Sequence, residues 1–157
     1  MDTAIITKLS LLKTNSVMEQ NISFGIEGIE LLEYSIISPS KVIEPNTQFK
    51  FDMNVEHRFN IDSKRIFVVV AIDIFIQDTD IKLGNSKISC IYNVLELEKY
   101  LVKDKISFPN EFITTLNSIS LSTCRGVIFT LFRGTFLHNA ILPIVDPKVF
   151  VATPKSD

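Results

Sequence analysis

The segment from Phe49 to Gln77 constrains the fold of this chain more than any other. Its first half alternates between apolar residues and charged or polar residues, with Phe49, Phe51, Met53, Val55, Phe59 and Ile61 at the apolar positions. A period of two predicts a β-strand with one apolar face. Its second half, residues 65–77, is apolar at almost every position. Such a segment is typical of a central strand that is covered on both faces.

Further strands are predicted on both sides of this pair. Residues 87–95 form a third strand, after an irregular segment at Gly84-Asn85-Ser86, with Ile88, Cys90, Tyr92 and Val94 on one side. Short turns join the three strands, so we expect an antiparallel meander. Residues 3–12 and 21–37 also have strand patterns, and Gly25 and Gly28 predict kinks or bulges in the latter.

From Pro109 onward the apolar period becomes that of a helix. Phe112, Leu116, Ile119, Thr123, Val127 and Leu131 recur at spacings of three and four. Pro109 suits a helix start and Gly134 a helix stop, so the helix spans roughly residues 109–133. Because it contains Asn117 and Arg125, and Arg at a bilayer centre costs roughly 2.5–3.5 kcal/mol, we expect a packed helix and no membrane insertion.

Small residues accumulate along this helix, at Ser118, Ser120, Ser122, Thr123 and Gly126. Small side chains let another backbone come close, either a second helix or the chain's own sheet, and the sequence leaves both open. For the first alternative, the candidate interface residues are Leu116, Ser120, Thr123, Gly126 and Val127.

The last segment, residues 134–152, combines an apolar connection containing Pro143 with a short final helix that begins at Asp146-Pro147. Strands followed by helices within one domain, residues 1–157, predict the α+β class.

Candidate catalytic and metal-binding groups are scarce. The chain has two histidines and two cysteines, and no nucleophile elbow, phosphate-binding loop or dinucleotide-binding glycine pattern. We expect His57 and His138 to pack or to form hydrogen bonds, and Cys90 and Cys124 to be small buried residues in a reducing cytoplasm. The net charge of −2 gives no basic surface for nucleic acid. The sequence therefore predicts no enzyme, no metal and no cofactor.

Apolar surface is abundant instead, since hydrophobic residues make up 46% of the chain and twelve residues are Phe. A domain of 157 residues has limited interior, so some of this surface is expected to meet partners. The candidate contacts for an extended polypeptide are Phe49, Phe51, Met53, Phe59, Phe67, Phe75, Tyr92, Phe136 and Leu137. Two alternatives stay open, a structural oligomer subunit without clients and a small-molecule-binding enzyme.

One short element has a specific resemblance. The residues Arg133-Gly134-Thr135-Phe136, with Pro143 ten positions after the arginine, resemble the end of the first long helix and the following loop of SecB chaperones. The segments 65–74, 88–90 and 108–114 resemble two strands and the helix start of the same family. The resemblance implies a four-stranded antiparallel sheet packed with one long helix and a short C-terminal helix.

The resemblance also implies a function. SecB chaperones are cytoplasmic homotetramers, dimers of dimers with the long helices between the sheets, that hold unfolded polypeptides without ATP. The export branch passes them to SecA, and a divergent branch protects the tail of an antitoxin in toxin–antitoxin systems. This chain departs from the export branch by a longer first helix, a shorter final helix, a nearly neutral charge and no acidic C-terminal tail. These departures favour the specialised branch.

Overall fold

The computed structural model describes residues 21–151, so the strand predicted at residues 3–12 lies outside the described residues. The sheet strands are β1 (Phe24–Ile36), β2 (Phe49–Asn60), β3 (Arg65–Ile76) and β4 (Lys82–Val94). A 3-10 turn (Leu97–Tyr100) and a small hairpin of β5 (Leu101–Val102) and β6 (Lys105–Ile106) lead to helix α1 (Asn110–Leu131). A second 3-10 turn (Pro147–Phe150) follows. The predicted α+β class is confirmed, with a 3-10 turn as the final helix.

The four long strands form one antiparallel sheet in the order β1-β4-β3-β2. The β2–β3 register is unbroken from Phe49 opposite Ile76 to Asn60 opposite Arg65. The predicted meander of β2, β3 and β4 is therefore confirmed. The earlier strand β1 pairs with β4 on the side away from β3. As predicted from its apolar residues on both faces, β3 is central, whereas β1 and β2 are edges.

β4 begins earlier than the sequence predicts. Gly84-Asn85-Ser86 were expected to be irregular, but all three pair with β1 on one side and with β3 on the other. A Cβ on Gly84 would lie 2.7 Å from the carbonyl oxygen of Ser35, so only glycine lets the two strands approach here. The Asn85 amide donates to the Glu33 carboxylate at 2.7 Å and adds a side-chain link to β1.

Helix α1 lies on one face of the sheet and closes the core against β3 and β4. Its buried positions are Phe112, Leu116, Asn117, Ser120, Leu121, Cys124 and Ile128. The predicted apolar face is therefore partly wrong, because Ile119 is exposed while Ser120 and Cys124 face the sheet. The reason is Tyr92, whose ring is fully buried under the helix and whose Oη lies 2.8 Å from Ser120 Oγ. Small helix residues leave room for that ring.

Both the start and the end of helix α1 lie close to the positions that the sequence predicts. Pro109 is the N-cap, and Gly134 adopts a positive φ of 80° shortly after the C-cap Phe132. Thr135 Oγ1 donates to the carbonyl of Phe132 at 2.7 Å, so the Arg133–Phe136 motif forms the turn that redirects the chain. Asp146 caps the last turn by accepting from the Lys148 amide at 3.0 Å, with Pro147 at its first position.

Candidate polypeptide-binding surface

Within residues 21–151, strand β1 has a continuous apolar row that is about half exposed. Its residues are Ile26, Ile29, Leu31, Tyr34 and Ile36, which we call the β1 row, and each is 36–51% exposed. They lie opposite alternate β4 residues from Tyr92 to Gly84, so they share the helix side of the sheet. Two register shifts, at Ile26/Gly28 and Leu31/Glu33, keep them on that side. One of these coincides with Gly28, where a bulge was predicted.

The β1 edge is also free of a neighbouring strand within residues 21–151. Such an edge presents unpaired backbone N–H and C=O groups to another chain. The edge and the β1 row together are a surface suited to pairing with a further strand.

A groove opens where the segment before β2 meets the turn after α1. We call it the Phe49–Phe136 groove; its volume is about 210 Å³, and it is lined by Ile43, Glu44, Pro45, Phe49, Phe136, His138 and Asn139. One wall is apolar and the other carries hydrogen-bonding groups. His138 Nδ1 lies 2.8 Å from the carbonyl oxygen of Thr135, so Nδ1–H donates to that carbonyl and the second ring nitrogen remains for another partner. An apolar side chain with neighbouring backbone groups fits this combination.

A second groove lies at the other end of β2. We call it the Phe59–Phe108 groove; its volume is about 390 Å³, and it is lined by His57, Phe59, Ile106, Ser107, Phe108, Asn110, Ile113 and Val151. The Phe59 and Phe108 rings are 6.0 Å apart, and Phe108 also packs on Tyr100 and Phe112. His57 Nε2 lies 2.7 Å from Asn117 Oδ1 at the edge of this cluster, so the expected hydrogen-bonding role of His57 is confirmed.

Two helix residues hold the C-terminal segment in place. Arg125 donates from Nε to the carbonyl of Leu142 at 2.9 Å and from Nη2 to that of Pro143 at 3.0 Å. Asn117 donates to the carbonyl of Pro147 at 3.3 Å. Three apolar side chains of the C-terminal segment are exposed to solvent: Ile141, Ile144 and Val149 are 56%, 91% and 70% exposed. In the sequence, Arg125 and Asn117 served only as an argument against a membrane helix, and their hydrogen bonds to the C-terminal segment were not predicted.

The predicted contact residues separate into four groups. Phe49 and Phe136 meet in one groove, and Phe59 lines the other. Phe51 and Met53 are half-buried against the core on the helix side. Tyr92 and Leu137 are fully buried, so they have no surface for a client and belong to the core.

The remaining two, Phe67 and Phe75, lie on the opposite face of the sheet, the outer face, because they alternate with the buried β3 residues Ile66 to Ile74. Charged pairs cover that face, among them Arg65–Glu27, Arg58–Glu56 and Lys82–Asp73. The hydrogen bond from Arg65 lowers the pKa of Glu27, and that from Arg58 lowers the pKa of Glu56. A charge-paired face of this kind is suited to solvent.

The predicted helix interface is divided in the same way. Leu116 and Ser120 are fully buried against the chain's own sheet, so they cannot contact another helix. Thr123 and Val127 are half-buried, and Gly126 is exposed. Ser118, Ile119, Ser122, Gly126 and Phe129 form an exposed stripe that we call the outer helix face. The packing of small residues on the chain's own sheet is therefore confirmed for Ser120, whereas contact with a second helix through the outer helix face stays a prediction.

Residues 21–151 contain no cluster of three or more histidine, cysteine or acidic residues placed to hold a metal ion. No helix within this range is long and apolar enough to cross a membrane.

Comparison with known proteins supports the fold. No family model matches the sequence, and no curated protein does. Among solved structures, the chain is similar to the SecB-like chaperone of Mycobacterium tuberculosis in complex with a ChAD peptide from the HigA1 antitoxin. The TM-score is 0.52 and the identity 14%, over 78% of this chain and 90% of that chain. The predicted SecB-like fold is thereby confirmed. A Streptococcus agalactiae protein of unknown function has a TM-score of 0.34 and 12% identity, over 71% of this chain and 88% of that chain.

Proposed function

We propose that this protein is a non-catalytic, ATP-independent holdase that binds extended apolar segments of unfolded polypeptides in the cytoplasm. The observation that carries the proposal is the Phe49–Phe136 groove, which pairs an apolar wall with hydrogen-bonding groups. Ile141 and Ile144, close to the groove in sequence, are 56% and 91% exposed. Extended peptides are recognised by side-chain pockets together with backbone hydrogen bonds, and this surface offers both. The neighbour of the same fold that was solved with an antitoxin peptide supports the same kind of client.

The client we propose is a specific one, such as the C-terminal tail of an antitoxin, rather than the general set of exported proteins. Handover to SecA requires an acidic docking surface in the SecB family. On the outer face of this sheet, the carboxylates Glu27, Glu56 and Asp73 are each paired with a cation. The paired charges support the specialised role. Direct binding measurements with SecA and with antitoxin-tail peptides distinguish the two.

We further propose that the working unit is a homotetramer, a dimer of dimers. Such an assembly requires two different self-complementary interfaces on each subunit. Two surfaces support it: the β1 row with its free strand edge, and the outer helix face with its small residues. Each would be covered by the same surface of another copy.

The experiment compares two phenylalanines of similar burial on opposite sides of the sheet. Phe136→Ala removes a ring from the groove, and Phe75→Ala removes a ring from the outer face. Burying a Phe side chain on binding stabilises by about 1.5–3 kcal/mol, so Phe136→Ala is expected to weaken client binding roughly tenfold or more. Phe75→Ala is expected to leave client affinity unchanged. The readouts are suppression of aggregation of a denatured client without ATP, and the affinity for a permanently unfolded polypeptide.

Equal effects of the two substitutions would refute the groove as the binding surface. A wild-type protein that assembles but neither binds the unfolded polypeptide nor suppresses aggregation would instead support the alternative of a structural subunit. Urea denaturation of both variants separates a loss of binding from a loss of fold.

A further inference from the structure

A small polar cluster lies in the middle of the apolar interface between β4 and α1. Its members are Cys90 and Tyr92 on β4 and Ser120 and Cys124 on α1, and all four are fully buried. Tyr92 Oη and Ser120 Oγ are 2.8 Å apart, and this hydrogen bond fixes the position of the strand relative to the helix. Burial raises the pKa of Tyr92 to about 12, so its hydroxyl stays protonated at neutral pH.

The two cysteines stand opposite each other because of this alignment. One step of two residues along β4, from Tyr92 to Cys90, covers roughly 6.6 Å. One turn of α1, from Ser120 to Cys124, covers roughly 6 Å. The two steps run in the same direction, because Phe24 contacts both Tyr92 and Phe112 at the helix start, while Leu137 after the helix lies beside Gly84. The buried thiols of Cys90 and Cys124 therefore face each other across the interface. They are the only cysteines of the chain.

We propose that Cys90 and Cys124 are a reversible oxidation site, at which a peroxide converts the thiol pair into an intrachain disulfide that joins β4 to α1. Ordinary core packing explains one small buried residue at each position. It does not require that the chain's two thiols, from elements far apart in sequence, lie opposite each other beside two hydroxyl groups.

The two thiols are suited to different roles in this reaction. The hydrogen bond from Cys124, helped by those of Ser120 and Tyr92, lowers the pKa of Cys90 to about 7 against the opposing effect of burial. The same hydrogen bond, together with burial, raises the pKa of Cys124. Cys90 is therefore the nucleophile and Cys124 the resolving thiol.

The chemistry balances with hydrogen peroxide as the oxidant. The Cys90 thiolate attacks one peroxide oxygen, which forms a sulfenic acid and releases the other oxygen as water after protonation. The Cys124 sulfur then attacks the sulfenic sulfur, loses its proton, and expels a second water. Two thiols and one peroxide thus yield one disulfide and two waters. A dithiol such as dithiothreitol reverses the change by thiol–disulfide exchange.

The expected consequence is a more stable subunit. The disulfide closes a loop that contains the β5–β6 hairpin and the first half of α1, and restricts the unfolded chain accordingly. For a loop and a domain of this size we expect the midpoint of thermal unfolding to rise by roughly 5–10 °C. Since neither sulfur is exposed, peroxide enters during transient opening of the helix–sheet interface, and the reaction is slower than at an exposed thiol.

The test treats the full-length native protein with hydrogen peroxide and blocks remaining thiols with N-ethylmaleimide under denaturing conditions. We expect a product that has lost the mass of two hydrogen atoms, takes up no N-ethylmaleimide and migrates as a monomer without reductant. A peptide pair linking Cys90 to Cys124 locates the bond. The unfolding midpoint should rise and return to its original value with dithiothreitol.

Two native outcomes overturn the proposal: both thiols still reactive with N-ethylmaleimide after denaturation, or oxidation that stops at sulfinic acid or joins two subunits. These measurements need only the wild-type protein, so they stand even if a cysteine variant folds poorly. In Cys124→Ser, peroxide should leave the unfolding midpoint without any rise that dithiothreitol reverses. A reversible rise of wild-type size in that variant would also overturn it.

Discussion

Gly126 provides a direct test of the outer helix face, because substitutions there should stabilise the subunit and weaken the assembly at once. The residue lies in the interior of α1, and a Cβ added to it would meet nothing within 4 Å in the subunit. Glycine in a helix interior costs about 0.8–1.0 kcal/mol relative to alanine, and leucine is nearly as favourable as alanine. Gly126→Ala and Gly126→Leu should therefore each raise the free energy of unfolding of the isolated subunit by roughly 0.5–1 kcal/mol.

The assembly should respond in the opposite direction. Helices in contact lie about 8–10 Å apart, and small residues allow the closer distances. A leucine at the point of approach overpacks the interface, which typically costs about 1–3 kcal/mol. That cost corresponds to a roughly fivefold to 150-fold increase of the dissociation constant between dimers. Gly126→Ala adds one methyl group and should weaken the contact less.

Sedimentation velocity over a dilution series measures the assembly, and urea denaturation at the lowest concentration measures the subunit. We expect the wild type to sediment as a tetramer and the leucine variant as a dimer at the same concentration. A leucine variant that keeps the wild-type sedimentation profile, while urea shows the expected gain in subunit stability, would refute the helix interface.

Two further substitutions test contacts inside the subunit. Tyr92→Phe leaves the buried Ser120 hydroxyl without its partner, so the free energy of unfolding should fall by about 1–3 kcal/mol; an unchanged urea midpoint would mean that this hydrogen bond does not position the helix. Arg125→Ala frees the two carbonyl groups that it holds in the proline-containing loop, so limited proteolysis within residues 138–146 should accelerate several-fold while the global unfolding midpoint changes little. Wild-type cleavage rates would show that the guanidinium does not hold the loop.

The central sheet was predictable because its signals are local. Alternation in β2 and continuous apolar character in β3 follow directly from one covered face and two covered faces, respectively. The start of β4 was not predictable, since Gly84, Asn85 and Ser86 are turn-forming residues in isolation. Their strand conformation depends on β1, whose Ser35 carbonyl approaches Gly84 and whose Glu33 accepts from Asn85. Those partners lie about fifty residues earlier in the chain.

The buried face of helix α1 was also predicted only in part, because it too depends on residues distant in sequence. Hydrophobic periodicity placed Ile119 inside and gave no reason to bury Ser120, yet the buried tyrosine on β4 requires a small hydrogen-bonding partner at that position. The grooves were predictable only in part. The sequence selected Phe49, Phe59 and Phe136 by residue type, but it could not assign them to different grooves or identify Ile43 and Pro45 beside them. Those neighbours are brought together by loops, whose sequences have no hydrophobic periodicity.

The two bulges of β1 explain how a small subunit comes to expose so much apolar surface on one side. With strict alternation, Ile29 and Leu31 would face opposite to Ile26, Tyr34 and Ile36. The register shifts at Ile26/Gly28 and Leu31/Glu33 reverse the alternation twice, so all five residues face the helix side of the sheet. Bulges disrupt the ladder of a strand pair, and within the subunit the five side chains are only about half buried, so the isolated subunit gains only part of the burial that this arrangement could give.

A second subunit would bury more of these five side chains. The five side chains are about half exposed, and covering the remainder would stabilise an assembly by roughly 4–7 kcal/mol per subunit. The bulged strand therefore fits the proposed role of β1 as a surface for another copy of this chain. That copy would occupy β1. The Phe49–Phe136 groove lies beyond the other edge of the sheet, so it would remain accessible. In the proposed assembly, self-association and client binding would therefore use different apolar surfaces of the subunit, and neither would have to be released for the other to form.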